Sequence, residues 1–412
     1  MNVVERQTLS TRQRIPMSAP DIAPGDVAAV NRVLQTPLLS IGPQIVEFEK
    51  RCAAYVGAQH AIGVSSGTAG LHLCLIAAGV QEGDYVITTP FSFIASANVI
   101  LYERAIPVFV DVEQATGNID PALVARAVAD LSAGGSEAQR WLPRKLPERA
   151  APSGRVAAIL PVHAFGQPAD MDPILDVARR YGLPVIEDAC EAIGACYRGR
   201  AAGTLGDAGV FAFYPNKQIT TGEGGMIVTN RSTWEPLFRS LRNQGRDVFD
   251  AWLNHTRLGY NYRLDEMSAA LGASQVSRLD ELLAKRERVA AWYTERLRGM
   301  SGVQAPQLVP STTRMSWFVY VVRLGADINR PALMAALEGE GIPSRPYFTP
   351  IHLQPFYAER FGYRRGDYTT TEALGDTCLA LPFSGALAEE QVDYICTRLA
   401  RCLQSTAHGG QQ

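Results

Sequence analysis

No stretch of this 412-residue chain approaches the ~18 uninterrupted apolar residues that a membrane-spanning helix needs. An excess of charge of one sign is missing too. Lys and Arg number 39 against 41 Asp and Glu, a net charge of −2, so nothing general is available to grip a phosphodiester backbone or an anionic membrane surface. The opening MNVVERQTLSTRQR mixes Arg, Gln and Thr with no apolar core, unlike a secretory signal. Seven cysteines (Cys52, Cys74, Cys190, Cys196, Cys378, Cys396 and Cys402) are odd in number, scattered and never in CxxC spacing. That excludes the usual signatures of a disulfide framework and of a zinc site, and the expectation is a cytoplasmic protein with reduced thiols and no metal.

What is present is ordinary globular material, with 47% hydrophobic and 19% charged residues in a length worth about 2.7 average domains. From Ala61 onward the apolar runs AIGV, DYVITT, IPVFVDV, VAAILPVH and LPVIED alternate with segments of helical period such as Gly70 to Ala78, Pro121 to Leu131 and Met171 to Tyr181. Strands apolar on both faces, separated by helices, predict a doubly wound, mostly parallel sheet. After Asp265 a charged amphipathic stretch, MSAALGASQVSRLDELLAKRERVAAWYTERL, predicts one long helix leading into a smaller α+β domain with a strand at WFVYVVRL and helices near Pro331 to Glu340 and Ala388 to Cys402. The expected division is therefore a large domain over 15–265 and a linking helix with the small domain over 266–405. The segment from Ser132 to Gly154, rich in Gly, Pro, Ser and Ala, reads as a surface excursion without chemistry of its own.

Ligands of doubly wound sheets bind beyond the carboxyl ends of the strands, and three strand ends here are unusual. AIGV runs through SSGT (Ser65 to Thr68) into a helix, whose free N–H groups suit a phosphate, although a Ser/Thr cap alone would look the same. LPVIED ends in Glu187-Asp188. An Asp there is costly unless a cation answers it; a cap on the next turn is the alternative role. GVFAFYPNKQITTGEGGMIVTN carries a lone Lys217 out of an aromatic run into a Gly-rich turn; such an amine is carbonyl-reactive if desolvated and inert if its stem snorkels to water. A phosphate cradle, a strand-end carboxylate and an apolar-embedded lysine are together what a pyridoxal phosphate enzyme requires, the carboxylate keeping the pyridine nitrogen protonated so that the ring withdraws electrons.

In order and spacing, PLLSIGPQIVEFE, VSSGTAGLHL, PFSFIASAN, LPVHAFGQPADMDPI, VIEDACEAIGA, FYPNKQITTGEGGM, LGYNYRLDEMSAALG and PIHLQPFY resemble the DegT/DnrJ/EryC1/StrS family of sugar aminotransferases. The likeness runs from about Ile15 to Cys402. It implies the fold type I of pyridoxal-phosphate-dependent transferases, a large domain with a mostly parallel doubly wound sheet plus a smaller α+β C-terminal domain. It also implies Lys217 as the Schiff-base lysine, Asp188 as the partner of the pyridine nitrogen, Phe93 as the aromatic stacked on the ring, and Gly67 and Thr68 as the phosphate cradle. In this family the Asn of a GYNYR-like motif serves the partner's phosphate, which implies a homodimer with shared sites, Asn261 in that role and Arg263 as its neighbour on the substrate side. Two positions depart from the common pattern. Ala212 stands where many members have a phosphate-binding Ser, and Glu191 stands where many have Gln or His near the cofactor's phenolic oxygen. A Glu there is similar to the perosamine synthase branch, and because two anions cannot share a hydrogen bond it must be protonated or act through water. His163, closing VAAILPVH, and His352, after PYFTPI, are candidate substrate contacts, each with a packing role as its alternative. Glu223 reads as a turn former, and Asp84 and Asp111 as caps.

The implied reaction moves an amino group, from L-glutamate, to a keto carbon of a nucleotide-linked deoxysugar, with a 4-keto-6-deoxy sugar favoured by Glu191. Three other readings stand beside it: a cyclitol or aromatic-precursor ketone as acceptor; a sugar dehydratase, which in this family carries His where Lys217 stands; and a non-catalytic regulator, which would need a DNA-binding module ahead of a fold expected to begin by about Ile15.

Overall fold

The apolar runs become strands because each is buried on both faces, leaving alternate side chains to two helical layers. In the computed structural model, which describes residues 15–146, 154–247 and 254–408, the large domain carries β1 (His60–Val64), β2 (Tyr85–Thr88), β3 (Ile106–Phe109), β4 (Val156–Ile159), β5 (Ile186–Asp188), β6 (Cys196–Tyr197), β7 (Arg200–Ala201), β8 (Ala208–Ala212) and β9 (Gly225–Thr229). Parallel bridges Ile159–Val185 and Val162–Asp188 join two ladders into one sheet ordered β1-β9-β8-β5-β4-β2-β3. β9 runs antiparallel to both of its neighbours, while the β5–β8, β2–β3 and β2–β4 pairs are parallel. Alternation is visible in the cores. Ala61, Phe211, Met226 and Val228 pack with Phe48 on one face, and Ile62, Val210 and Ile227 pack with Leu71 and Leu75 on the other.

The small domain is an antiparallel sheet, β10 (Val303–Gln304), β12 (Tyr320–Leu324), β14 (Cys378–Leu381) and β13 (Arg345–Pro346) in that order, while β11 (Thr312–Arg314) returns to pair with β6. Helices Arg330–Gly339 and Glu389–His408 contribute Leu333, Leu337, Val392, Ile395 and Leu399 to its core. Among the described residues no helix is long and apolar enough to cross a membrane.

The long helix expected after Asp265 is two helices, Glu266–Ser277 and Leu279–Leu297. The break falls at Arg278, whose guanidinium donates to the backbone and carboxylate of Asp21. The first helix buries Ala269 and Ala273 in the large-domain core. The second places Leu279, Leu282 and Leu283 there but Val289, Ala290, Tyr293 and Leu297 in the small-domain core. Ile15 also belongs to the small-domain core, its N–H bonded to the Gly341 carbonyl at 3.2 Å. The helix Leu279–Leu297 therefore enters both cores, and Ile15 packs with the small-domain residues. The excursion is docked, not free. Trp141 donates to Asp130 at 2.8 Å, the Lys145 N–H reaches the Phe361 carbonyl at 2.9 Å, and Arg144 grips Asp367; residues 147–153 lie outside the described part.

Glycine is required where β9 meets the start of the helix Gly67–Ala77. A Cβ on Gly225 would sit 2.5 Å from the Ser66 carbonyl carbon and oxygen and 2.7 Å from the Gly67 nitrogen. Backbone cannot yield as a flexible side chain can, so Gly225→Ala is expected to cost about 2 kcal/mol or more. Chemical denaturation of the two proteins checks this; equal stability would mean that the contact is looser than described.

Candidate active site

At the carboxyl end of β1 the chain turns at Ser66 into the helix Gly67–Ala77. The Ser66 hydroxyl accepts from the Ala69 N–H at 3.1 Å, which leaves Gly67 and Thr68 in the first turn, where helical N–H groups have no partner within the helix. A Cβ on Gly67 would approach Cys190 Sγ to 2.7 Å and the Ala212 methyl to 2.8 Å. The helix start is thus wedged between the ends of β5 and β8, and a bulkier side chain at either glycine would push it away. Ala212, one of the two departures from the family pattern, lies against this helix start.

Asp188 closes β5 and is 6% exposed. Its carboxylate accepts from the Ser96 hydroxyl at 2.6 Å and from the Cys190 N–H at 3.2 Å. No ion pair to it is found among the described residues, so a buried anion is held by neutral donors alone. Ser96 lies in the helix Ala95–Tyr102, just after Phe93, whose ring is 63% exposed and so free to cover a ligand at this edge.

Lys217 ends a turn in which its N–H bonds the Tyr214 carbonyl at 2.9 Å. Its Nζ lies 3.6 Å from Glu191 Oε1 and 3.8 Å from the centroid of the Phe318 ring, an electrostatically favourable face for a cation. The other oxygen of Glu191 accepts from the Phe165 N–H at 2.9 Å, and Phe165 itself has a positive φ of 60°, a conformation that a bulky residue adopts only when its surroundings impose it. Burial pushes the Glu191 carboxyl above its ordinary range, against the pull of the Lys217 charge and the Phe165 N–H. Burial, helped by Glu191, also raises the nearby Tyr347 hydroxyl to about 12.

His163 adjoins this site through its main chain, its N–H donating to the Asp188 carbonyl at 3.0 Å. His163 is fully buried with both ring nitrogens engaged, Nε2 against Glu187 at 2.8 Å and Nδ1 accepting from the Ala169 N–H at 3.1 Å. Glu187 also accepts from the backbone of Gly203, Leu205 and Gly206 at 2.6–2.7 Å, so this pair ties together the back of β5 and leaves His163 no nitrogen for a substrate. His352 is likewise fully buried, bonded through Nε2 to Glu372 at 2.9 Å and ringed by Tyr363 and Tyr368; burial lowers its imidazole below the usual value. Asn261 is exposed and bridges to Asn243, whose side-chain oxygen accepts from Arg263 at 3.0 Å. Neither is among the contacts around Lys217, Asp188 and Glu191. Burial and the neighbouring Arg246 and Arg242 hold the Arg263 guanidinium below its usual value. Asp111 accepts from the Thr370 and Thr371 N–H groups, capping a helix of the small domain.

The sequence reading did not single out Ser96, Phe165, Gln218 and Phe318. Gln218 donates to the Glu191 carbonyl at 2.6 Å and to the Ser316 hydroxyl at 2.8 Å, binding the lysine turn to the small domain. Ser96 is joined to Ser92, which precedes the helix Ala95–Tyr102, by a contact of 2.9 Å between their hydroxyls.

The raised Glu191 carboxyl has a consequence in the apoprotein. The native state keeps its proton over a window in which the unfolded chain, with the ordinary value of 4.5, has lost it. The stability this group contributes is therefore greatest below that value and falls as pH rises through the native one. The unfolding free energy of the wild type minus that of Glu191→Gln is expected to decline from about pH 4.5 upward, measured by denaturant titration across pH; a flat or rising difference contradicts the assignment.

The model of the DegT/DnrJ/EryC1/StrS aminotransferase family matches residues 20–400. The chain is similar to the GDP-perosamine synthase of Caulobacter vibrioides, 40% identical over 398 residues that cover 96% of this chain and 100% of that one. Among solved structures it is similar to DesV of S. venezuelae, with a TM-score of 0.82 and 32% identity over 94% of this chain and 98% of that one. A DegT DnrJ EryC1 StrS aminotransferase from Brucella abortus superposes with a TM-score of 0.81 at 31% identity, covering 92% and 95%.

Proposed function

Because the chain belongs to the DegT/DnrJ/EryC1/StrS family of pyridoxal-phosphate-dependent sugar aminotransferases, we propose that it moves the amino group of L-glutamate onto the 4-keto carbon of a GDP-linked 6-deoxy sugar. The observation that carries the chemistry is the convergence of Lys217, the cation-free Asp188 and the start of the helix Gly67–Ala77 at adjoining strand ends. The nucleotide and the sugar rest on the 40% likeness to a GDP-perosamine synthase and on Glu191.

The residues fit pyridoxal phosphate. Asp188, buried with only neutral donors, is answered by a protonated ring nitrogen. The N–H groups of Gly67 and Thr68 suit the phosphate, Phe93 has an open ring face, and Lys217 supplies the amine that binds the carbonyl. When bound, the cofactor supplies an electron sink for the carbanion formed at the substrate carbon. With the cofactor bound, Nζ of Lys217 would take the proton from the α-carbon of glutamate and pass it to the cofactor, and in the second half would carry a proton from the cofactor to the sugar carbon. Burial favours the neutral form of Glu191, the form that would donate to the phenolic oxygen instead of repelling it. Asn261, exposed in this chain, serves the phosphate of a second copy, and Arg263 stands beside it on the substrate side, so the working unit is a homodimer.

Lys217→Ala is expected to lower turnover by about a thousandfold or more while leaving the fold intact; a variant with near-normal turnover would exclude Lys217 as the base. The substrate is tested by half-reactions on the loaded protein. L-glutamate should abolish the absorption band of the lysine-bound cofactor, and a GDP-linked 4-keto-6-deoxy sugar should restore it. Restoration only by a differently linked sugar, or by a cyclitol or aromatic-precursor ketone, would overturn the proposed acceptor.

A further inference from the structure

Arg286 lies in the helix Leu279–Leu297, four residues after Leu282 and three before Val289, on the face that enters both cores, and it is 4% exposed. A guanidinium so placed usually meets a carboxylate; this one meets four backbone carbonyls. Its Nη1 donates to Trp317 and Phe318 at 3.3 and 3.1 Å, and its Nη2 to Asn216 and Lys217 at 3.3 and 2.7 Å. Burial lowers it to about 10, with Asp21 the one charge among the described residues opposing that fall, and Asp21 is itself taken by Arg278 and Lys285. The ring of Phe383 lies 5.7 Å away. A charge this costly to bury, spent wholly on neutral carbonyls, needs a reason other than ion pairing.

The geometry points to Arg286 as a positioning residue for the transamination, holding the main chain of Lys217 and that of Phe318 in one planar fork so that the reactive Nζ stays over the Phe318 ring and beside Glu191. The lysine belongs to the large domain and Phe318 to the small one, and the 3.8 Å approach of Nζ to that ring is set by two backbones with no covalent link nearby. One guanidinium bonds the carbonyls of both residues. The N–H of Lys217 is already held by Tyr214, so Arg286 fixes the other side of the same residue. A lysine at 286 has no fork and cannot reach both pairs of carbonyls in a fixed plane. Met would fill much of the space and leave four carbonyls short of a donor.

This inference rests on the proposed role of Lys217, and its test separates the two. Wild type, Arg286→Lys and Arg286→Met are prepared as full chains. Backbone hydrogen exchange is measured on the cofactor-free proteins, and the single-turnover reaction with L-glutamate is followed on the loaded ones. Exchange at residues 214–221 and 316–320 is expected to rise at least about tenfold in the Met variant, with the rest of the large-domain sheet unchanged. The saturating rate with glutamate is expected to fall about tenfold to a hundredfold, with the half-saturating concentration unmoved and the Lys variant between the two. Unaltered exchange in both segments overturns the proposal. So does a Met variant that reacts at the wild-type rate, or one whose rate loss matches its loss of bound cofactor. If the Met variant does not fold, the Lys variant decides: slowed reaction with loosened segments supports positioning, and wild-type behaviour in both overturns it. A wild type that does not respond to glutamate refutes the proposed donor, while the exchange comparison still judges Arg286.

Discussion

Two buried carboxylates, Asp188 and Glu191, stand three residues apart at the end of the central strand, and one amine, Lys217, lies against only the second. Burying charge without an answering charge is the costliest thing a protein interior does, and most of the site can be understood as a response to it. Glu191 is raised toward its neutral form and takes the Phe165 N–H and the lysine. Asp188 is kept by Ser96 and a backbone N–H, with no ion pair among the described residues. Pyridoxal phosphate, the cofactor of this family, carries a cation in its ring nitrogen and an anion in its phosphate, and the start of the helix Gly67–Ala77, packed against Cys190 just beyond Asp188, offers the opposite polarity.

The scaffold isolates that chemistry from the strand that bears it. Glu187, the neighbour of Asp188, turns to the other side and is saturated by three backbone N–H groups and His163. One strand end thus carries a carboxylate saturated by the fold beside one held by a single hydroxyl and a backbone N–H. Close approaches at Gly67 and Gly225 seat the helix start against β8 and β9. Gly166, with a φ of 93°, lets the small-domain segment pass so near that a Cβ there would collide with the Ser316 carbonyl. From Ser316 onward the same segment bonds Gln218 and Arg286 and brings Phe318 beneath the amine.

The parallel strands were legible in the sequence because burial on both faces writes itself as uninterrupted apolar runs, and Lys217, Asp188 and the Ser66 turn because polar groups at the ends of such runs are conspicuous. The direction of β9 was not, since GMIVT reads alike in either sense. The break at Arg278 was hidden because helical periodicity continues through it, while the guanidinium is paired with Asp21 and Asp26, both distant in sequence. Phe318 and Arg286 act on Lys217 across separations of 101 and 69 residues, so no local pattern marks them, although a lone Arg on the apolar face of a helix was a signal available at 286. His163 and His352 show the reverse. Each stands at a strand or loop end that invites a functional reading; Glu187, 24 residues away, and the Ala169 N–H take both ring nitrogens of His163, while Glu372, 20 residues away, takes only Nε2 of His352.

The account depends on one attachment, that of the cofactor's carbonyl to Nζ of Lys217. Treating the pyridoxal-phosphate-loaded protein with borohydride fixes that bond permanently, and peptide mass spectrometry then locates it. The expected result is a single pyridoxyl group on Lys217, absent when glutamate is added before the reductant. A group on any other lysine, or none despite a bound cofactor, would contradict the assignment of this site.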